Sequence, residues 1–174
     1  MESVSERRWS NPPENIVKVN FDAAFHQGSG ESAWGFIARS DTCQFIAAAA
    51  GKSHNCRDAL QAEAEACVAA VEGAATIGLH RVQFESDCKT LVTALQTKER
   101  DLAHVGVLLK EARSGCISSF ESYTFSFAPR SCNKVAHTLA QHGLRADVEC
   151  EGWEDFAPAF LADLVASELA VHSG

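Results

Sequence analysis

The sequence has little of what a disulfide-bonded, zinc-binding or membrane-spanning protein needs. Its seven cysteines are odd in number and scattered, and they include no C-x-x-C pair, which argues against a disulfide framework and a zinc site. The residues before position 16 contain no apolar run resembling a secretory signal, and no stretch approaches the ~20 apolar residues of a membrane span. We therefore expect reduced thiols and an intracellular protein, in the nucleus or the cytoplasm, that is neither secreted nor membrane-bound.

Several catalytic signatures are also absent, namely the G-x-S-x-G elbow, the G-x-x-x-x-G-K-[ST] loop and the H-E-x-x-H motif. Excess basic charge is missing as well, because the net charge is −8. Residues 147–174 hold seven acids and no lysine or arginine, whereas residues 1–146 hold 16 acids against 15 bases, a net charge of −1. Tight nonspecific binding to nucleic acid uses many basic side chains, and no basic handle of that kind is evident.

The length of 174 residues fits one domain with short terminal segments. We predict an extended lead-in over residues 1–15, a domain over residues 16–146 and an acidic amphipathic tail over residues 147–174. Apolar residues recur at helical spacing between Trp153 and Ala170. This helix either docks on the domain or contacts a protein partner.

Hydrophobic periodicity predicts an α/β domain. Alternating patterns predict strands over residues 17–25, 33–39, 43–50, 81–86 and 121–127, the first with one buried face. Helical spacing predicts helices over residues 58–77, 87–96, 101–114 and 132–145. Short links make the first three strands antiparallel, and helical crossovers make the last two parallel. The expected architecture is a five-stranded mixed sheet flanked by helices.

Three acids occupy positions that suggest a metal site. Asp22 lies mid-strand, where aspartate is depleted, although a solvent-facing residue is the alternative. Glu63 borders the apolar stripe of its helix, whereas Glu65 belongs to the polar face. Asp87 ends a strand, where ligands often bind, and it is otherwise a helix N-cap. Three converging carboxylates repel one another unless a cation such as Mg²⁺ neutralises them.

Five segments in a fixed order carry a resemblance to a known family. They are VKVNFDAAF, AWGFIARSD, QAEAEACVAA, RVQFESDC and FAPRSCNKVAHTLAQHGL. In this order and spacing they resemble the reverse-transcriptase-like ribonuclease H family common in plants, many of whose members derive from retroelements. The similarity runs from about Trp9 to Gly143, and the later WEDFAPAFLADLV resembles the end of that family. The resemblance implies a ribonuclease H-like fold, an RNA/DNA hybrid as substrate, and cleavage of its RNA strand with two Mg²⁺ or Mn²⁺ ions.

The family's metal site has the order Asp, Glu, Asp, Asp, and the matching positions here are Asp22, Glu63, Asp87 and His137. The histidine is a departure, because a neutral imidazole offers one nitrogen lone pair and no negative charge. We therefore expect the second ion to bind weakly, with more dependence on Mn²⁺ and on pH. His137 alternatively contacts a phosphate or has no role. The family's histidine loop before the last helix is missing, and Arg130 and Asn133 are candidate nucleic-acid contacts.

Three functions therefore stay open at this point. The first is an active ribonuclease for RNA/DNA hybrids, with three of the four metal positions intact. The second is a catalytically weak or inactive nucleic-acid-binding domain of retroelement origin, which His137 and the acidic charge favour. The third is a protein-interaction module that uses the amphipathic tail.

Overall fold

A computed structural model describes residues 6–97 and 104–169 of the chain. The strands are β1 Val17–His26, β2 Glu31–Arg39, β3 Phe45–Ser53, β4 Arg81–Ser86, β5 Ser122–Phe127 and β6 Cys150–Glu154. The helices are α1 Ala59–Thr76, α2 Lys89–Thr97, α3 Gly106–Ser119, α4 Lys134–Arg145 and α5 Ala159–Leu169, and a 3-10 turn spans Arg130–Cys132. The predicted start of the third helix at 101–103, and residue 170 of the predicted tail helix, lie outside the described residues.

The strands form one mixed sheet in the order β5-β4-β1-β2-β3-β6. β1, β2 and β3 are antiparallel neighbours, β4 is parallel to β1, and β5 is parallel to β4, so the predicted pairing is confirmed. The predicted strand number is wrong, because β6 adds a sixth strand antiparallel to β3. β6 lies at the edge of the sheet, and its five residues, CEGWE, are too few and too mixed to show an apolar alternation.

Helices cover both faces of the sheet. The larger core lies between the sheet and helices α1, α2 and α3, and a smaller one lies between the sheet and helices α4 and α5. The prediction of a single buried face for β1 is wrong, because Lys18, Asn20 and Asp22 on its other face are at most 3% exposed. Among the described residues, no helix is both long and apolar enough to cross a membrane.

Gly35 allows α4 to lie directly on the sheet. A Cβ atom at this position would lie 2.5 Å from the Cβ atom of Leu139 and 2.6 Å from the backbone nitrogen of Ala140. Such distances are shorter than any packed core tolerates, so the close approach of α4 to β2 requires glycine. Gly35 is the register partner of Asp22 across β1 and β2, and α4 is therefore brought close to Asp22.

Both terminal segments take part in this fold. The indole of Trp9 is 2% exposed, donates a hydrogen bond to Asn20 Oδ1 at 3.0 Å, and has the guanidinium of Arg39 4.0 Å from its ring centroid. Arg39 also forms a buried ion pair with Glu168 of α5. Leu161 of α5 is fully buried in the smaller core, so the tail helix docks on the domain.

Candidate metal and nucleic-acid site

The structure brings three of the predicted metal ligands together. Asp22 comes from the middle of β1, Glu63 from the second turn of α1, and Asp87 from the residue after β4. One carboxylate oxygen from each lies within 4.8 Å of the other two. The side chain of Asp22 is completely buried and that of Asp87 is 8% exposed, so neither is a solvated surface acid.

The local fold explains why Glu63, and not Glu65, reaches the site. Asp58 is the N-cap of α1, and its carboxylate accepts a hydrogen bond from the Gln61 backbone at 2.8 Å. Glu63 then lies on the side of the helix that faces β1, where its Oε1 accepts from the Ala23 amide at 3.4 Å. The helical-wheel argument for this residue is consistent with the contact.

Two buried oxygens at the site lack hydrogen-bond partners, namely Asp22 Oδ1 and Glu63 Oε2. Burial and then the charge of Asp87 raise the pKa of Asp22. Burial and then the charge of Asp22 raise the pKa of Glu63 well above its ordinary value. Unpaired buried carboxylates are costly unless a proton or a cation satisfies them. An all-oxygen set with this need fits a hard divalent cation such as Mg²⁺ or Mn²⁺.

Arg130 supplies positive charge to the same carboxylates. Its Nε donates a short hydrogen bond to Asp87, and one of its terminal nitrogens lies 3.8 Å from Asp22 Oδ2. Among the described residues, the Asp87 carboxylate therefore pairs with Arg130, and it does not cap the first turn of α2. The side chain of Arg130 remains 54% exposed, so it reaches the site from the solvent side.

His137 lies beside the acids, as the fourth predicted position requires. Its Nδ1 is 3.0 Å from Asp22 Oδ2 and also within hydrogen-bonding distance of Arg130. One ring nitrogen either donates or accepts a proton, so only one of these contacts is a hydrogen bond at a time. The side chain is 37% exposed, which leaves the ring accessible from solvent.

Asn133 has a different environment from Arg130 and His137. It is 1% exposed, its amide nitrogen donates to the Phe21 carbonyl at 3.0 Å, and its oxygen accepts from Asn20 at 3.1 Å. These bonds fix the start of α4 against β1. A direct contact with nucleic acid would require Asn133 to leave this buried position.

A buried polar network behind the site was missed by the sequence reasoning. Asn20 donates to Glu85 Oε2 at 2.8 Å, and Lys18 forms an ion pair with Glu85 Oε1 at 3.3 Å. The alternation of Lys18, Asn20 and Asp22 along β1 was the available signal, because these polar residues share one face of a central strand. The network holds β1 and β4 together directly below the acids.

Three solved structures of ribonucleases H have a similar fold. RNase H1 from Halobacterium salinarum matches with a TM-score of 0.69 and 24% identity, over 74% of this chain and 97% of that one. The N-terminal RNase H domain of a Mycobacterium tuberculosis protein matches with a TM-score of 0.63 and 20% identity, over 74% and 93%. LC11-RNase H1, solved in complex with an RNA/DNA hybrid, matches with a TM-score of 0.63 and 16% identity, over 74% and 96%. The fold is therefore ribonuclease H-like.

The sequence comparisons define the family within this class. The reverse transcriptase-like family matches residues 20–143, so the chain belongs to that family. Ribonuclease HI from Halobacterium salinarum is 30% identical over an alignment of 135 positions that covers 74% of this chain. The match spans 64% of that protein, slightly less than two thirds of its length.

Proposed function

We propose that this protein is a metal-dependent endonuclease that hydrolyses the RNA strand of RNA/DNA hybrids. The observation that carries the proposal is the convergence of Asp22, Glu63 and Asp87, two of which have buried, unpaired oxygens, on a ribonuclease H-like fold. The similarity to a protein named Ribonuclease HI, and to a ribonuclease H solved with an RNA/DNA hybrid, supports this substrate.

Two Mg²⁺ or Mn²⁺ ions, when bound, would activate a water molecule and stabilise the leaving oxygen of the scissile phosphate. Asp22 is the ligand suited to both ions, because it lies next to the other acids and next to His137. Glu63 and Asp87 would complete the first metal site. His137 would serve the second site, which we expect to be the weaker one because imidazole is a poor ligand for Mg²⁺.

Arg130 and Asn133 take different roles in this proposal. Arg130 neutralises Asp87 and lies near Asp22 without metal, and it would turn to the substrate phosphate once cations hold these acids. Asn133 is buried, and we assign it the positioning of α4, and with it His137, rather than a contact with the hybrid.

The experiment is cleavage of a hybrid with an end-labelled RNA strand in Mg²⁺ and separately in Mn²⁺. Asp22→Asn should abolish cleavage in both metals, whereas the matched change Glu65→Gln, at a half-buried acid of α1 outside the metal cluster, should preserve it. His137→Asp should raise the rate in Mg²⁺ more than in Mn²⁺, because it restores the missing carboxylate. No cleavage by the unaltered protein in either metal would refute the proposal.

A second candidate is a nucleic-acid-binding domain with weak or no catalysis, and His137 at the fourth metal position favours it. It predicts salt-dependent hybrid binding without cleavage in either metal. A protein partner at the tail stays a prediction, and so do a nuclear or cytoplasmic location and a retroelement origin in a plant.

A further inference from the structure

A groove of about 700 Å³ runs along the outer face of α4 to the first turn of α5. Its lining includes His137, Thr138, Gln141, His142, Arg145 and Phe160. We call it the α4 groove. None of its residues beyond His137 has a role in the proposed reaction.

The α4 groove begins at the acidic site. His137 lines it and also lies 3.0 Å from Asp22, so whatever occupies the groove is adjacent to the carboxylates. The eight steps from His137 to Arg145 advance about 12 Å along a helix. At about 3.4 Å per nucleotide of a stacked strand, that distance covers roughly three to four nucleotides.

The charge around the α4 groove differs from that of the rest of the chain. Residues 122–146 contain no aspartate or glutamate, although the protein carries a net charge of −8. The same segment contains Arg130, Lys134 and Arg145. Glu151 of β6 lies near the groove, and its Oε2 is 3.3 Å from Nε2 of His142. Arg145 lines the groove itself, whereas Arg130 contacts Asp87 and Lys134 lies 3.8 Å from Glu6. Arg145 is therefore the cation at this surface that can pair with a phosphate.

Phe160 provides an aromatic surface where the groove meets the first turn of α5. It is 41% exposed, although large apolar side chains are usually buried. Its ring stacks on His142, with centroids 4.3 Å apart and planes 13° apart, and Trp153 packs against it edge-on at 5.6 Å. These neighbours hold the Phe160 ring in one orientation, and its exposed area lines the groove.

These observations select one kind of occupant. Aromatic rings bind nucleic acid by stacking on bases, and a base must be unpaired to stack on a protein ring. We infer that the α4 groove binds an unpaired single-stranded extension next to the hybrid, with Phe160 stacking on a base and Arg145 pairing with a phosphate. Gln141 also lines the groove and offers donors and an acceptor to a base edge. The inference deepens the proposed function, because it assumes that the hybrid lies at Asp22.

The test measures binding, in EDTA, so that cleavage cannot destroy the probe. Fluorescence anisotropy compares a blunt RNA/DNA hybrid with hybrids that carry an unpaired extension of about four nucleotides on either end of either strand. Phe160→Ala removes the stacking ring, and Phe160→Tyr keeps it. Phe156→Ala is the matched control, because Phe156 is an 83% exposed aromatic residue on the same segment and does not line the groove.

One extension should increase the affinity of the unaltered protein by about five-fold or more over the blunt hybrid, the factor expected for a single stacked base. Phe160→Ala should remove this gain, whereas Phe160→Tyr and Phe156→Ala should retain it. Arg145→Gln should lower the salt dependence of the gain, and the exposed Arg57→Gln should not.

Equal affinity for blunt and extended hybrids, or no binding of any of them, would overturn the inference. So would an extension-dependent gain that survives Phe160→Ala. This binding test is independent of the test of the proposed function, because the proposed function depends on cleavage of a blunt hybrid. A protein that cleaves blunt hybrids without an extension-dependent gain refutes only the α4 groove. A protein that shows the gain without cleavage refutes only the ribonuclease.

Discussion

Arg130 and a divalent cation should compete for the same carboxylates. In the structure the guanidinium contacts Asp87 and lies near Asp22, where a metal ion would bind. Replacing it with alanine removes the only positive charge recorded against Asp87 among the described residues. We therefore expect Arg130→Ala to weaken the metal-free protein and to strengthen its affinity for Mn²⁺.

The expected size follows from the geometry. Removing one partner of a fully buried ion pair costs about 3–5 kcal/mol. Arg130 is 54% exposed, and solvent screening reduces this figure to about 1–2 kcal/mol. For a protein of this size, the melting temperature in EDTA should fall by about 2–8 °C. Because a metal ion no longer has to displace the guanidinium, the affinity of the protein for Mn²⁺ should rise. The same free energy of about 1–2 kcal/mol corresponds to an increase of roughly 5- to 30-fold.

Thermal melts in EDTA measure the loss of stability, and melts over a Mn²⁺ titration measure the gain in metal affinity. The titration works because a ligand that binds the folded state raises its stability in proportion to ln(1 + [L]/Kd). Isothermal calorimetry gives the affinity directly. Arg81→Ala is the matched control, because Arg81 forms its ion pair with the exposed Glu121 and not with the acids of the site. An Arg130→Ala protein that melts like the unaltered one and binds Mn²⁺ no more tightly would show that the guanidinium and the metal do not compete.

Three further changes test other parts of the structure. Because burial raises the pKa of Glu63 above its ordinary 4.5, the folded protein retains a proton that the unfolded chain releases. The contribution of Glu63 to metal-free stability should thus be fully present below pH 4.5 and be lost as the pH rises through the folded-state pKa. Urea unfolding across pH should show a shallower fall for Glu63→Gln. Gly35→Ala should lower the free energy of unfolding by about 1–3 kcal/mol in chemical denaturation, because α4 must move away from β2. The control Gly106→Ala, which has open space around the new Cβ atom, should cost nothing. Equal effects of the two changes would contradict the packing argument. Glu168→Gln should lower the free energy of unfolding by about 3 kcal/mol in the same assay, because it leaves the buried Arg39 without its counter-charge. An unchanged denaturation midpoint would mean that the tail helix is not anchored by this ion pair.

The elements that could be predicted from the sequence are those whose own residues show a clear apolar periodicity. The apolar stripe of α1 sets both the helix and the side of it on which Glu63 lies. The alternation of β4 likewise sets the strand that ends at Asp87. Local periodicity, together with the order of the motifs, was enough to place the three acids.

The parts that sequence did not predict depend on partners far along the chain. β6 is a strand because β3 has an open edge beside it, and its own five residues carry little pattern. Asn20 is buried because Glu85 and Asn133, 65 and 113 residues away, satisfy its amide. The sequence placed Arg130 close to the site but could not show that its side chain turns toward Asp87.

The sixth strand affects how the protein should be shortened for laboratory work. A fragment limited to residues 20–143, the region shared with the family, would lack β6, α5 and Trp9. The alanine-rich edge of β3 would then present unsatisfied amides and carbonyls along a narrow row of small side chains, an arrangement that favours pairing with another copy. We therefore expect such a fragment to be prone to pairing through this edge, so its behaviour would not represent that of the intact chain.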